Sequence, residues 1–164
     1  MSEVEKHLKE AFAGESQANR KYLAFAKKAE REGYGPVAKL FRAAAEAETV
    51  HAHAHLRTLK GVGTTAENLK EAITGETYEF KSMYPEMIAD AKAESNSAAL
   101  RSFEYANTVE KVHANLYQKA LEKMDKLEET DYYVCSVCGY TCEGEAPEKC
   151  PVCGAASKAF SKVE

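Results

Sequence analysis

Apolar side chains return every three to four residues along most of the chain, the period of helices that bury one face. From about residue 3 to 31, Leu8, Ala11, Phe12, Ala18, Tyr22 and Ala26 share such a face. GYGP at 33–36 breaks the pattern, with Pro36 suited to a first helical turn. A second helix is predicted over about 36–60, with Val37, Phe41, Ala44, Ala52 and Leu59 on its stripe, and GVG at 61–63 ends it. The following stretch reads as a connection longer than a tight turn. A third helix is predicted over about 67–93, kinked near Pro85, and a fourth over about 96–129 after the turn ESNS.

Four helices with one long connection describe an all-α four-helix bundle of ferritin-like topology. After EETD at 128–131 the pattern gives way to short apolar pieces, Gly, Pro and Cys. The predicted organisation is therefore a bundle over 1–129 and a small metal-binding domain over 130–164.

Each predicted helix carries a glutamate within its apolar stripe. Glu15 lies among Leu8, Ala11, Ala18 and Tyr22, and Glu48 among Phe41, Ala44, Ala52 and Leu59. Glu79 lies near Ala72 and Met83, and Glu110 among Phe103, Ala106, Ala114 and Tyr117. Four carboxylates on buried faces repel one another and lose solvation, so they need protons or cations. Glu48-x-x-His51 and Glu110-x-x-His113 place an acid and an imidazole on neighbouring turns of one face. One Glu from each of two helices plus Glu-x-x-His from the other two is the donor pattern of di-iron bundles. Oxygen and nitrogen donors of this kind suit iron or manganese, and zinc can substitute. His53 points about 140° away from Glu48 and reads as a surface residue, His55 as structural, and Glu46 and His7 as exposed.

The cysteines form a second constellation. All five of them follow residue 134, and Cys135-x-x-Cys138-Gly and Cys150-x-x-Cys153-Gly form two knuckles that predict a tetrathiolate metal site. Spacing fits iron or zinc, and a neighbouring redox centre favours iron. Cys142 belongs to neither knuckle and reads as a bystander thiol.

Composition narrows the setting. At 164 residues, 29% charged and with a formal charge of -4, the chain lacks a basic stripe for nucleic acid, and no apolar run is long enough for a membrane span. The start MSEVEKHLKEAFAGES has no export signal, so a cytoplasmic protein is expected.

AFAGESQANRKY at 11–22, the two Glu-x-x-His segments, GETYEFKSMYP at 75–85 and the paired knuckles together resemble the rubrerythrin family over nearly the whole length. The resemblance implies a ferritin-like di-iron domain followed by a rubredoxin-type domain, and a peroxidase that reduces hydrogen peroxide to water. It implies Glu15, Glu48, His51, Glu79, Glu110 and His113 as ligands of a di-iron centre cycling between Fe2+ and Fe3+. Cys135, Cys138, Cys150 and Cys153 become ligands of a mononuclear rubredoxin-type iron, and Tyr22 a residue near the di-iron site. It further implies a homodimer, with one subunit's rubredoxin domain near the other's di-iron site, and an upstream donor such as a rubredoxin or an NAD(P)H-dependent reductase. One departure is expected: Ser82 stands where the family's fifth carboxylate precedes Met-Tyr-Pro. The alternative function is iron oxidation and storage, against which the attached one-electron module speaks. A further alternative is a sensor or structural module with zinc at the thiolates.

Overall fold

The computed structural model describes residues 1–164 and divides into two compact units, Met1–Gly63 and Thr64–Glu164. The first unit is a hairpin of α1 (Glu3–Arg31) and α2 (Gly35–Thr58). Ser2 and Glu5 cap α1 reciprocally, each satisfying a backbone N–H of the other's turn. Small residues line the helix–helix seam. Ala38, Ala45 and Ala52 recur every seven residues along α2, and with Ala26 and Ala29 of α1 they are buried, which lets the two backbones approach closely. Asn19 is the one buried polar side chain there. Its amide donates to the Ala45 carbonyl at 2.7 Å and to Thr49 Oγ1 at 2.8 Å, locking the register of α1 against α2.

The second unit begins at Thr64, which caps α3 (Thr65–Tyr78) in a box with Glu67. The connection after α2 is residues 59–64, close to the expected span between about 60 and 67, and TAENLKEAITG is already helical. The predicted third helix is α3, a π-helical turn over Glu79–Met83, and α4 (Tyr84–Ala93). Pro85 explains the wide turn: it has no N–H to donate, and its ring would crowd the carbonyl four residues back in a regular helix. The Tyr84 N–H instead reaches the Glu79 carbonyl, five residues back. α5 (Ser97–Glu122) starts on the Asn96 side chain and packs on α3 and α4. It stops at Glu122 rather than near 129, since a single 3-10 turn and an extended Leu127 lead the chain towards its first strand despite a helix-favouring sequence.

The chain ends in a three-stranded antiparallel sheet of β1 (Tyr132–Cys135), β2 (Thr141–Glu143) and β3 (Phe160–Lys162), ordered β2-β1-β3. Tyr133 pairs with Cys142 on one side and Lys162 on the other. No helix is long and apolar enough to cross a membrane.

Replacing Asn19 by Ala should lower stability by about 1–3 kcal/mol, since it removes two short hydrogen bonds from a buried seam. Thermal unfolding checks this, and an unchanged melting temperature would show that the alanine seam alone sets the register.

Candidate metal centres

In the first unit, the Asn19 register brings Glu15, one turn earlier on α1, beside Glu48 of α2. Donor atoms of Glu15, Glu48 and His51 lie within 4.8 Å of one another. His51 Nδ1 stands 2.9 Å from Glu48 Oε2. Tyr22 lies in an aromatic cluster with Phe25 and Phe41, at ring separations of 6.3 and 6.2 Å. His53, Glu46 and His7 are exposed and His55 is half-buried.

The second unit builds a matching triad from Glu76, Glu110 and His113, again within 4.8 Å. His113 Nδ1 is 2.8 Å from Glu110 Oε2 and 3.9 Å from Glu76 Oε1. Helical spacing singled out Glu79, yet Glu76 completes the triad. Glu76 and Glu79 lie three residues apart, so a 100° wheel cannot separate them, and the π turn that begins at Glu79 alters the facing of everything after it. Glu79 remains close enough for its carboxyl to be raised by burial and by the Glu110 charge. Glu76-x-x-Glu79 is itself an E-x-x-E pair ahead of Met83-Tyr84-Pro85, so Ser82, exposed in the π turn, does not mark a lost carboxylate. Tyr84 was also missed: burial, then Glu110, Glu79 and Glu76, raise its phenol, which places it beside the same acids. Its position five residues after Glu79, across the wide turn, was the available signal.

The donor chemistry fits divalent iron. Each triad offers two carboxylates and one imidazole, and four carboxylates balance two divalent charges. Without cations the crowding is costly. Burial first, and then the Glu110 charge, push the Glu76 carboxyl from 4.5 up to about 7.

The cysteine knuckles converge as predicted. Cys135 and Cys153 sulfurs are 3.7 Å apart and Cys138 and Cys150 sulfurs 3.6 Å. Four thiolates about 2.3 Å from a central ion would stand about 3.8 Å from each other, and these two pairs match that spacing, with all four sulfurs within 4.8 Å of one another. Gly139 and Gly154 take φ of +83° and +76°, a region that a β-carbon disfavours, and their N–H groups close the knuckles on the Cys135 and Cys150 carbonyls. Burial opposes ionisation of Cys150, but N–H groups of Cys153 and Val152 and the Cys138 thiol bring it down to about 7, while burial drives Cys138 upward. Cys142 stands outside the cluster with its thiol towards the Tyr133 and Glu145 carbonyls.

The Rubrerythrin family model matches residues 6–121, and the model of the rubrerythrin rubredoxin-like domain matches 133–161. The chain belongs to the rubrerythrin family. Among its relatives, Rubrerythrin-2 of Clostridium acetobutylicum is 35% identical, with 93% of this chain and 92% of that protein covered. Nigerythrin of Nitratidesulfovibrio vulgaris is 37% identical over 90% of this chain and 80% of its own length. The structure of nigerythrin in its fully reduced, all-ferrous state matches with a TM-score of 0.61 at 34% identity, covering 99% of this chain and 88% of that one. As a rubrerythrin the chain combines a ferritin-like di-iron domain with a rubredoxin-like tetrathiolate domain.

The raised Glu76 carboxyl sets a pH test. Its folded value of about 7 exceeds the ordinary 4.5, so the stability it contributes to the metal-free protein is present below about 4.5 and is lost as pH rises through about 7. Glu76→Gln should therefore melt above the wild type in the metal-free state, by a margin that grows from about pH 5 to 8. Iron should reverse the order. A constant margin across that range would mean that the carboxyl is not crowded.

Proposed function

We propose that the protein is a non-haem peroxidase that reduces hydrogen peroxide to water in the cytoplasm as a defence against oxidative stress. The reading rests on one observation above all: in the unit Thr64–Glu164, a thiolate site suited to one-electron transfer is carried on the same helix, α5, that supplies Glu110 and His113 to a carboxylate site. Iron storage has no use for such an attachment.

In this reading Glu15, Glu48, His51, Glu76, Glu110 and His113 would be the ligands of an iron pair, with Glu79 as a further carboxylate near Glu110. When bound, the iron pair supplies the two electrons that cleave the O–O bond of peroxide. The residues do the rest. Carboxylates would neutralise the ions, and Glu48 and Glu110 hold the Nδ1 atoms of their histidines beside their own oxygens. Tyr84, kept protonated by burial and by three acids, can present its Oη–H to a peroxide oxygen. Tyr22 would steady a ligand carboxylate of the first unit. Cys135, Cys138, Cys150 and Cys153 hold the iron that receives electrons from a rubredoxin or an NAD(P)H-dependent reductase. That nigerythrin, 34% identical, has structures in mixed-valent and fully reduced, all-ferrous states supports redox work for this chain. We assign a homodimer as the working form, with exposed Leu40 and Val50 of α2 offering apolar surface for a second copy.

Anaerobic titration of the fully reduced protein with hydrogen peroxide tests the proposal. Two electrons from the pair and one from the thiolate iron should be consumed by about one and a half peroxides per chain, with prompt return of the oxidised thiolate-iron bands. Absent return, in protein holding iron at both sites, would favour iron oxidation and storage instead.

A further inference from the structure

Within the unit Thr64–Glu164, strand β2 is fastened to one face of α5 at three levels. Gly139, at the end of the first knuckle, lies against buried Val109, where a β-carbon would meet Val109 Cγ1 at an ordinary contact distance of 3.8 Å. One turn on, His113 Nε2 stands 3.0 Å from Thr141 Oγ1. Further along, Lys119 Nζ meets Glu143 Oε2 at 2.6 Å.

The middle contact has a defined polarity. The Thr141 hydroxyl donates its own hydrogen to the Gly139 carbonyl at 3.1 Å, so its oxygen is left to accept. His113 Nε2 must then carry the hydrogen and donate it. That fixes the imidazole so that its other nitrogen, Nδ1, faces Glu110 and Glu76. A hydrogen-bonded path therefore runs from the Cys138–Gly139 segment, through the Gly139 carbonyl and the Thr141 hydroxyl, to a histidine of the carboxylate site, all in one chain.

We propose that Thr141 is the positioning residue that couples the two metal centres: it holds His113 in the tautomer that leaves Nδ1 for metal, and it completes the route for the electron. The inference rests on the di-iron reading above. In the coupled step the ferrous thiolate iron is oxidised to ferric and one ferric ion of the pair is reduced to ferrous, with no bond made or broken. Valine at 141 keeps the size and loses both hydrogen bonds. His113 Nε2–H would then face a cavity of about 330 Å³ lined by Leu69, Leu116, Tyr117, Ala120 and Tyr132, with water as its acceptor.

The test uses Thr141→Val and Thr141→Ser in full-length protein. In the zinc-loaded, diamagnetic form, the His113 Nε2–H proton should be seen by NMR as slowly exchanging in wild type and Thr141→Ser, and lost to exchange in Thr141→Val. In the iron form, stopped-flow mixing of reduced protein with peroxide separates two events, oxidation of the pair and return of the thiolate-iron bands. Thr141→Val should slow the return about tenfold or more while pair oxidation keeps its wild-type rate, and serine should restore it. A return rate unchanged by valine, or one that serine fails to restore, would overturn the role of Thr141. Failure of pair oxidation in the wild type would instead overturn the di-iron reading on which it rests.

Discussion

Carboxylates turned toward one another on the inner faces of helices are the constraint from which the rest of this structure follows. A single half-buried acid can be solvated or capped. Glu15 with Glu48, and Glu76 with Glu110, form pairs whose donor atoms lie within 4.8 Å, and each pair has a histidine at its side. Such groups lose solvation and repel one another, so burial first and then the Glu110 charge raise the Glu76 carboxyl to about 7. Divalent cations remove the conflict. The folded chain thus holds charge in an arrangement that iron binding relieves.

Local devices serve this arrangement at some distance from it. Asn19 spends its amide on Ala45 and Thr49, and so sets the level at which Glu15 meets Glu48. Pro85 forces the π turn after Glu76, and the turn carries Tyr84 back to the acids. The knuckle glycines let the four sulfurs close to the spacing of a single ion. Thr141 lies where the thiolate module touches α5, which makes one hydroxyl the meeting point of both chemistries.

Much of this was legible along the chain, and the reasons differ from part to part. Helices α1 and α2 were readable because apolar period and breakers agreed, and the knuckles because C-x-x-C-G spacing has few other uses. The Glu-x-x-His pairs at 48–51 and 110–113 fall on regular helix, where a 100° wheel holds. Between Glu76 and Tyr84 it does not hold, because the π turn over Glu79–Met83 shifts the facing of the residues, so spacing alone favours Glu79 over Glu76, sets Ser82 at a carboxylate position and gives no signal for Tyr84. The early end of α5 at Glu122 had no local signal, because KMDKLEE favours helix and only the following strand draws the chain away. The Thr141 contact joins residues 28 apart, and no periodic pattern reports such a pair.

Two Glu-Glu-His triads and one set of four cysteines amount to donors for three irons in each chain. Counting iron per chain after anaerobic reconstitution tests it most directly, with Mössbauer spectroscopy to divide thiolate from oxygen and nitrogen coordination. About three irons are expected in the wild type, two of them in carboxylate and histidine surroundings, and about one in Glu110→Ala, with the thiolate spectrum intact. A wild type that holds only the thiolate iron, or a Glu110→Ala variant that keeps all three, would contradict the account.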